Sequence, residues 1–397
     1  MNDRFLRIYA MTEAEAITLL DKPKADLGVG DVRYVAAAHL VNFNTPESRS
    51  ALMRAVARKD DDLDNRIVRR KAAESLGKLQ AKEAIPLLVA CLGETDRYLV
   101  ENCVWALGEM QVQEEEILAK IASLLTAQDQ SYRVILQTLR KLGYQPAVPQ
   151  VRKFVDHPDP GIASAALSAL AVLDGDLTNF ARVLDFLWHS SPMVRRMAIQ
   201  DIVDAQYISA IPAIACAPVS LVFRVRGIKL LAETNSLPKA QYQSYLEQCL
   251  IDHPSTLRLL HKYNDMPSLD RLVQDLYDTD FGKCYLATLT ILQHYPDVAG
   301  ARLVEEFYTG EARNDYGAHY HVVKLIGWLK YTPGYDVLME ALHNTQPQFQ
   351  KSRSGAAISL GELGDKRAIP ELKKYLNSPI WELQYCAEMA LQRLNGG

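Results

Sequence analysis

The chain has 397 residues, of which 48% are hydrophobic and 23% charged, and these ordinary proportions exclude a disordered protein. Its net charge of −4 argues against a dedicated nucleic-acid-binding protein, which would usually be strongly basic. The longest apolar run, residues 210–223, is interrupted by two prolines and is too short to span a bilayer. Scattered cysteines without a CxxC pair, and an N-terminus without the apolar core of a signal peptide, predict a cytoplasmic protein with free thiols.

Internal repeats are the dominant pattern along the chain. After a first segment that predicts a helical cap, VRRKAAESLGKLQAKEAIPLLVACL, from Val68, and LVENCVWALGEMQVQEEEILAKIASLL, from Leu99, share one plan. Each predicts a helix that ends near a Leu-Gly, a short polar turn and a second apolar helix. Weaker copies begin near residues 159, 191, 221 and 279, and clear copies return at His321 and Gly355.

The spacing of the repeats predicts the fold class. Corresponding glycines lie 31 residues apart for Gly77 and Gly108, 35 for Gly108 and Gly143, and 34 for Gly327 and Gly361. This is the period of a two-helix repeat, and no stretch alternates as a strand would. We expect an all-α, HEAT-like or armadillo-like α-solenoid, a curved right-handed superhelix of helix pairs. The expected parts are an N-terminal helical cap (1–30), HEAT-like repeats (31–235), an irregular helical segment (236–278) and further HEAT-like repeats (279–397).

In the helix that begins at Leu99, helical phasing separates side chains that face the core from those that face away from it. At 100° per residue, one arc contains the apolar core positions Leu99, Cys103, Ala106 and Leu107. The opposite arc contains Tyr98, Glu101, Trp105 and Gly108. Two aromatic rings therefore face away from the repeat's own core, where they either pack against a neighbouring repeat or contact a ligand.

The same phasing of each first helix gives a row of equivalent outward positions. They are Arg70, Lys71 and Glu74; Glu101 and Trp105; Arg133 and Arg140; Arg196 and Gln200; Cys284, Tyr285 and Thr288; and Tyr320, His321, Lys324 and Trp328. A plain scaffold more often shows scattered solvated charge at such positions. The mixture of cations, carboxylates, aromatics and a thiol indicates a functional groove.

The sharpest cluster is GAHYHVVKLIGW, which contains Tyr320, His321 and Lys324 on one arc, with His319 beside it. An imidazole and a phenol together suit proton transfer near neutral pH. The alternative is that a histidine at a helix start is simply a surface or interface residue. Because His319 and His321 point to different faces of the helix, we expect them not to share a metal ion.

The sequence lacks the motifs that several kinds of enzyme require. None of the nine histidines is followed by Glu, as the di-iron oxygenases built from HEAT-like repeats require, so we expect no metal site. The chain also has no GxxxxGK[ST] phosphate loop, no full GxGxxG and no GxSxG elbow. Nucleotide-binding and serine-hydrolase functions are unsupported.

The segment DRYLVENCVWALGEM, residues 96–110, resembles the signature repeat of the E/F-type phycobilin lyases, HEAT-repeat proteins that attach open-chain tetrapyrroles to phycobiliproteins. LDNRIVRRKAAESLGKLQAKEAIPLL, from Leu63, and DRFLRIYAMTEAEAITLL near the N-terminus are also similar to this family. The resemblance spans essentially the whole chain. A single chain of this length resembles the phycoerythrin-specific branch.

The resemblance implies a bilin lyase that joins phycoerythrobilin, through its ring A ethylidene group, by a thioether to a cysteine of a phycoerythrin subunit, with the α subunit favoured. Some members also isomerise the bilin to phycourobilin. It implies no permanent cofactor, since phycoerythrobilin is the substrate. It further implies a phycoerythrin partner and a cyanobacterial cytoplasm near the phycobilisomes.

The roles that the resemblance implies fall on the outward row. Propionates need cations, pyrrole N–H groups need a carboxylate, flat rings need aromatics, and double-bond migration needs an acid and a base. The candidates for binding the propionates are Arg70, Arg133, Arg140 and Arg196, and those for the pyrrole N–H groups are Glu101 or Glu74. The candidates for stacking on the rings are Trp105, Tyr98 and Trp328. The candidate acid and base groups are Tyr320, His321 and His319. Lys324 shares the arc of Tyr320, and Cys284 or Cys103 is a candidate for a transient bilin adduct.

Two other functions stay open. A non-catalytic HEAT-repeat scaffold or chaperone would grip a phycobilisome subunit without changing the bilin. A HEAT-fold nucleic-acid enzyme is a more distant alternative, because the acidic net charge disfavours it.

Overall fold

A computed structural model describes residues 11–27, 32–59 and 62–396, and every regular element within them is helical, as the repeats predict. The chain divides into two compact units, Met1–Phe180 and Ala181–Gly397. The helices of the first unit are α1 (Glu13–Asp21), α2 (Arg33–His39), α3 (Pro46–Val56), α4 (Leu63–Lys78), α5 (Ile85–Cys91), α6 (Arg97–Glu109), α7 (Glu115–Ser123), α8 (Tyr132–Lys141), α9 (Val148–Val151) and α10 (Pro160–Leu173). None of the described helices in either unit is long and apolar enough to cross a membrane.

The second unit continues the pairing of longer and shorter helices. Its helices are α11 (Ala181–Asp185), α12 (Pro192–Asp204), α13 (Ile211–Ala215), α14 (Leu221–Thr234), α15 (Gln243–Ile251), α16 (Leu269–Asp275), α17 (Phe281–His294), α18 (Ala299–Thr309), α19 (Tyr316–Trp328), α20 (Tyr335–His343), α21 (Gln350–Leu363), α22 (Ile369–Lys373) and α23 (Trp381–Gly396). The core positions phased on α6, from Leu99 to Leu107, are fully buried.

Local sequence signals start and stop the first helix of many repeats. An aspartate side chain caps the N-terminus of α4, α6, α10, α17 and α19 by accepting backbone N–H groups. At the other end of α4, Ala81 N–H donates to the Leu76 carbonyl while Gln80 adopts a left-handed φ of 51°. The same closing turn follows α6, α8, α12, α14 and α19. The repeat boundaries are therefore encoded locally.

The repeating glycines serve two different purposes. A Cβ on Gly77 would lie 2.7 Å from Ala106 Cα, and one on Gly327 would lie 2.6 Å from Ser359 Cα, so these glycines let neighbouring first helices approach closely. Gly143 instead occupies the closing turn of α8, with φ +68° and open space around it. The expected equivalence of Gly108 and Gly143 was therefore wrong, because one position is set by packing and the other by backbone conformation.

The expected cap and irregular segment fall within these units as follows. Residues 1–10 and 28–30 of the expected cap lie outside the described residues, and α1 lies between them. The segment 236–278 contains α15, α16 and a non-helical stretch over residues 257–268. The boundary between the two compact units lies at residues 180 and 181, inside the range predicted as N-terminal repeats.

Replacing Gly327 by Ala should destabilise the second unit by about 1–3 kcal/mol, because the added methyl meets Ser359 Cβ at 2.5 Å on the packed α21. The control is Gly93→Ala in the first unit, where a Cβ meets nothing within 4 Å. Thermal unfolding followed by circular dichroism measures both. Equal melting behaviour of the two variants would contradict the close-approach explanation.

Candidate functional site

The predicted binding positions of the first unit are largely occupied by their own neighbours. Arg70 makes two 2.8 Å hydrogen bonds to Asp96, and its guanidinium lies 4.8 Å from the ring centroid of Tyr98. The structure brings Arg70 and Tyr98, two of the predicted binding residues, together, and Tyr98 is 44% exposed. The positive charge of Arg70 is nevertheless already balanced by a carboxylate.

The remaining predicted residues of this unit are also bonded to, or packed against, neighbouring groups of the protein. Glu74 pairs with Lys71 and Lys78, and Glu101 accepts a 2.6 Å hydrogen bond from Ser131. Arg133 donates to the carbonyl of Gly161. Trp105, Arg133 and Arg140 are partly buried. Gly108 is buried against Thr138 of α8, so that position packs on the next repeat, the alternative that the phasing left open.

The second unit contains a buried polar cluster around Asp252, which we call the Asp252 centre and which consists of Arg224, Asp252, Tyr285 and Tyr320. Asp252 ends α15 in a left-handed conformation, with φ 54° and ψ 34°, and is fully buried. It pairs with Arg224 and accepts hydrogen bonds from Tyr285 Oη at 2.8 Å and Tyr320 Oη at 2.5 Å. Arg224 also donates to two backbone carbonyls, so this charge is surrounded by acceptors.

Burial keeps the two phenols protonated. Loss of solvent, followed by the negative charge of Asp252, raises the pKa of both Tyr285 and Tyr320 well above its usual value. For Arg224, burial opposes the charge, but Asp252 raises the pKa of the guanidinium well above its usual range. The centre therefore presents neutral O–H donors held against an ion pair.

The predicted proton-transfer histidines are buried rather than displayed. His321 lies against the rings of Phe281 at 5.1 Å and Tyr320 at 5.3 Å, and burial lowers its pKa well below the usual value. His319 lies between Phe307 and Phe349, and burial together with the charge of Lys351 lowers its pKa to about 4. Both imidazoles are consequently neutral at pH 7, although their unperturbed pKa suggested titration there.

Other predicted members of the row are also enclosed. Lys324 is fully buried with its Nζ 4.9 Å from the ring centroid of Trp328, and burial lowers its pKa to about 8. Cys284 is fully buried, and burial raises the pKa of its thiol to about 12, which disfavours the reactive thiolate. In the first unit, Cys103 is likewise buried and the pKa of its thiol is raised.

The expectation that Tyr320, His321, Lys324 and Cys284 face outward was wrong, because the irregular segment covers that face. Asp252, which follows α15, bonds to tyrosines of α17 and α19. The next residue, His253, lies edge-on to Trp328 at 5.1 Å between ring centroids. Helical phasing gives the direction of a side chain but does not show which distant segment packs over it.

A second buried pair lies at the start of α12 and α17. Arg195 pairs with Asp280, and its guanidinium also donates to the carbonyl of His189 at 2.9 Å. Asp280 Oδ2 lies 3.0 Å from His261 Nε2, and Asp280 Oδ1 caps the N-terminus of α17. Three buried arginines in the first helices of different repeats, Arg69, Arg195 and Arg224, each donate to at least one backbone carbonyl and to a carboxylate.

A cavity of about 770 Å³ opens between the helices of the second unit. Its lining contains five cations (Arg195, Arg196, Arg226, Lys229, Lys351), two carboxylates (Glu233, Glu382) and three aromatic rings (Phe223, Phe281, Tyr316). Of the predicted site residues, Arg196 lines this cavity. A cavity with this composition suits an anionic, largely flat ligand.

Lys351 and Phe281 form the wall between the cavity and the Asp252 centre. Lys351 Nζ lies 4.1 Å from the ring centroid of Phe281 and 4.3 Å from that of Tyr320. Phe281 in turn packs against His321. Tyr320 and His321 are therefore one side chain away from the cavity rather than in it.

Sequence reasoning missed the residues that organise this site. Asp252 lies in the segment that showed no clear repeat, and Lys351 precedes the clear copy that begins at Gly355. One signal was available: the recurrence of Arg69, Arg195 and Arg224 near the starts of first helices, since a buried arginine needs a buried carboxylate. Within residues 11–27, 32–59 and 62–396, no group of three or more His, Cys, Asp or Glu side chains is arranged to hold a metal ion.

Family models match the chain in two regions. A model described as HEAT repeats matches residues 30–108 and 63–134. A model described as PBS lyase HEAT-like repeat matches residues 352–378.

Relatives match over nearly the full chain. A Pseudanabaena tenuis protein described as uncharacterized phycocyanin operon protein Y is 48% identical over 397 residues, covering 99% of this chain and 94% of its own. The bilin biosynthesis protein CpeY of a Synechococcus species is 32% identical over 369 residues, covering 89% of this chain and 87% of its own. The solved complex of CpcE and CpcF of phycocyanin lyase from Nostoc gives a TM-score of 0.52 at 26% identity, covering 60% of this chain and 94% of the solved chain.

Replacing His319 by Phe should make the second unit less sensitive to acid. In the unfolded chain the imidazole titrates at its ordinary pKa of 6.5, whereas in the folded protein burial lowers its pKa to about 4. Between these values the unfolded state binds more protons, so stability rises with pH and is lost as the pH falls from 6.5 to 4. We expect the melting temperature of His319→Phe to fall less between about pH 7 and pH 4.5 than that of the wild type.

The matched control for this titration is the exposed His294, changed to Gln. That variant should lose as much stability in acid as the wild type. The assignment to His319 is contradicted if the acid-induced loss of His319→Phe equals that of the control.

Proposed function

Because the chain belongs to the E/F-type, HEAT-repeat family of phycobilin lyases, we propose that it attaches phycoerythrobilin by a thioether bond to a cysteine of a phycoerythrin α subunit. The observation that carries the proposal is the 32% identity to a bilin biosynthesis protein CpeY over 87% of that protein. The 48% identical relative supports the same kind of role through its description as a phycocyanin operon protein. The proposed place of action is the cyanobacterial cytoplasm, where the chain would meet its protein substrate.

The cavity of the second unit supports the bilin part of the proposal. An open-chain tetrapyrrole combines a conjugated, flat ring system with two propionates, and the cavity combines aromatic rings with an excess of cations. Arg196, predicted to bind a propionate, lines the cavity and stacks on Phe223 at 5.5 Å. The candidates in the first unit, from Arg70 to Arg140, stay predictions.

Thioether formation is an addition in which nothing leaves. The thiol gives up its proton, and its sulfur bonds to the exocyclic carbon of the C=C double bond that joins the ethylidene group to ring A. The ring carbon of that double bond receives a proton. The reaction therefore needs a base for the thiol and an acid near ring A. Moving a double bond in the bilin, which would yield phycourobilin, needs the same two functions.

We assign the acid function to Tyr320, with His321 beside it. The phenol of Tyr320 is kept protonated and donates a hydrogen bond to the carboxylate of Asp252. His321 Nε2 has no hydrogen-bond partner among the described residues, so this nitrogen is available once a substrate approaches. Because Lys351 covers the Tyr320 ring, proton transfer to a bilin requires the lysine to move aside.

His319 contributes differently. It lies in a separate aromatic pocket between Phe307 and Phe349, so we propose that it positions α19 rather than exchanging a proton with the substrate. An isomerising enzyme and a simple lyase need the same groups, and the absorption of the product distinguishes them, since isomerisation shortens the conjugated system and shifts absorption to the blue.

Co-expression of the chain with phycoerythrobilin and a phycoerythrin α subunit should yield a covalent, fluorescent adduct. Parallel cultures with a phycoerythrin β subunit and with a phycocyanin α subunit identify the acceptor, and a culture without the chain measures spontaneous attachment. Absence of an adduct above that background on every subunit would refute the lyase function. Binding of a subunit without any adduct would indicate the scaffold or chaperone function.

Replacing Tyr320 by Phe should lower the rate of adduct formation by about 100-fold or more, because the proton donor is removed while the ring remains. Tyr285→Phe is the matched control, since it also removes one phenol that donates to Asp252, whereas its ring is not the one that lies beside Lys351. The rate is measured from single turnovers, and the melting temperature of each variant checks the fold. Equal rates for the two variants would assign the loss to the hydrogen-bond network and not to proton donation by Tyr320.

A further inference from the structure

Lys351 presents its ammonium to aromatic rings rather than to a carboxylate. It lies in the first turn of α21 and lines the cavity, and its ammonium faces the rings of Phe281 and Tyr320 at about 4 Å. Among residues 11–27, 32–59 and 62–396, no carboxylate lies within ion-pair distance of its Nζ. Aromatic faces stabilise an ammonium only modestly, so the charge is incompletely compensated.

The surroundings of Lys351 also favour an anion. The N-terminus of α21 carries no side-chain cap, and a helix N-terminus is the positive end of its dipole. Gln350 and Ser354 of the same helix end line the cavity and offer polar groups beside the lysine. Across the cavity, α14 supplies two more cations, Arg226 and Lys229.

We propose that Lys351 anchors a propionate carboxylate of the bilin, an inference that rests on the proposed function for the identity of the ligand. The carboxylate would supply the missing counter-ion, and in pairing with it the ammonium would leave the ring of Tyr320. Binding of the substrate would thereby uncover the phenol that the reaction needs.

The proposal predicts a definite pH dependence. In the free protein, burial lowers the pKa of Lys351 to about 7, and a bound carboxylate raises it again. Above pH 7, binding must therefore take up a proton, and the affinity should fall about tenfold for each further pH unit. Below pH 7 the amine is already charged and the affinity should be constant.

Other titratable groups near Lys351 have separate explanations. They are Asp252, Cys284, Asp315, His319, Tyr320 and His321. Asp252 is bound by Arg224 and two tyrosines, and Asp315 caps α19. The pKa of Cys284 is raised to about 12 and that of Tyr320 is raised well above its usual value, whereas the pKa values of both histidines are lowered. None of these shifts moves a pKa toward the window between pH 7 and 9. Burial lowers the pKa of Lys324, which also packs on α21, to about 8, but Lys324 lies against Trp328 and does not line the cavity.

The test is equilibrium binding of phycoerythrobilin to the purified chain, without acceptor subunit, from pH 6 to pH 9. The bilin dimethyl ester and the variants Lys351→Gln and Lys351→Arg are compared, with Lys366→Gln, an exposed lysine outside the cavity lining, as the control. Lys351→Gln should weaken binding at pH 6 by about 10- to 100-fold and remove the pH dependence. Lys351→Arg should bind the diacid at pH 9 more tightly than the wild type, because its charge does not titrate.

The results separate this inference from the proposed function. Equal binding of the diacid and its dimethyl ester, or an unchanged pH profile in Lys351→Gln, would overturn the role of Lys351 even if the wild type forms a covalent adduct. Conversely, a Lys351-dependent pH profile without any adduct would support the carboxylate site while contradicting the lyase function. Binding of phycocyanobilin with the same profile would also support the site, since both bilins carry the two propionates.

Discussion

The buried ion pair between Arg224 and Asp252 is the interaction on which the second unit depends. Neither charge could remain in the core without the other, and removing one partner of such a pair typically costs about 3–5 kcal/mol. Because Asp252 ends α15 in a left-handed conformation, the pair also fixes where this helix stops within the irregular segment. The segment then packs over α17 and α19, and an otherwise open face of the helical stack becomes interior.

This enclosure changes the chemistry of the groups beneath it. Tyr320 and Tyr285 are held as neutral hydrogen-bond donors, and His321 is held as a neutral base whose Nε2 has no hydrogen-bond partner among the described residues. The same groups on a solvated helix face would titrate near their ordinary values. The wall formed by Lys351 and Phe281 then separates these groups from a cavity that is rich in cations. Bilin binding and proton transfer would thus occur on opposite sides of the Lys351 side chain, which can move aside.

A comparison of two cations shows why charge alone does not identify a binding site. Arg70 in the first unit meets Asp96 in a two-bond pair, so a ligand carboxylate would have to displace an existing partner. Lys351 in the second unit instead meets the aromatic rings of Phe281 and Tyr320 at short range. The free energy gained from an incoming anion is larger where the cation has no partner to lose.

The sequence by itself determined the helical repeats, because their signals are local. Aspartate caps, closing turns and the close-approach glycines Gly77 and Gly327 act within one repeat or between adjacent ones. The repeat pattern and glycine spacing that accompany them predicted the fold, and the quoted motifs predicted the family. Only the tertiary structure decided the site. Tyr320 and Asp252 are 68 residues apart, and their contact depends on a segment that carries no repeat pattern. Burial, counter-ions and pKa values follow from such distant contacts, which helical periodicity does not encode.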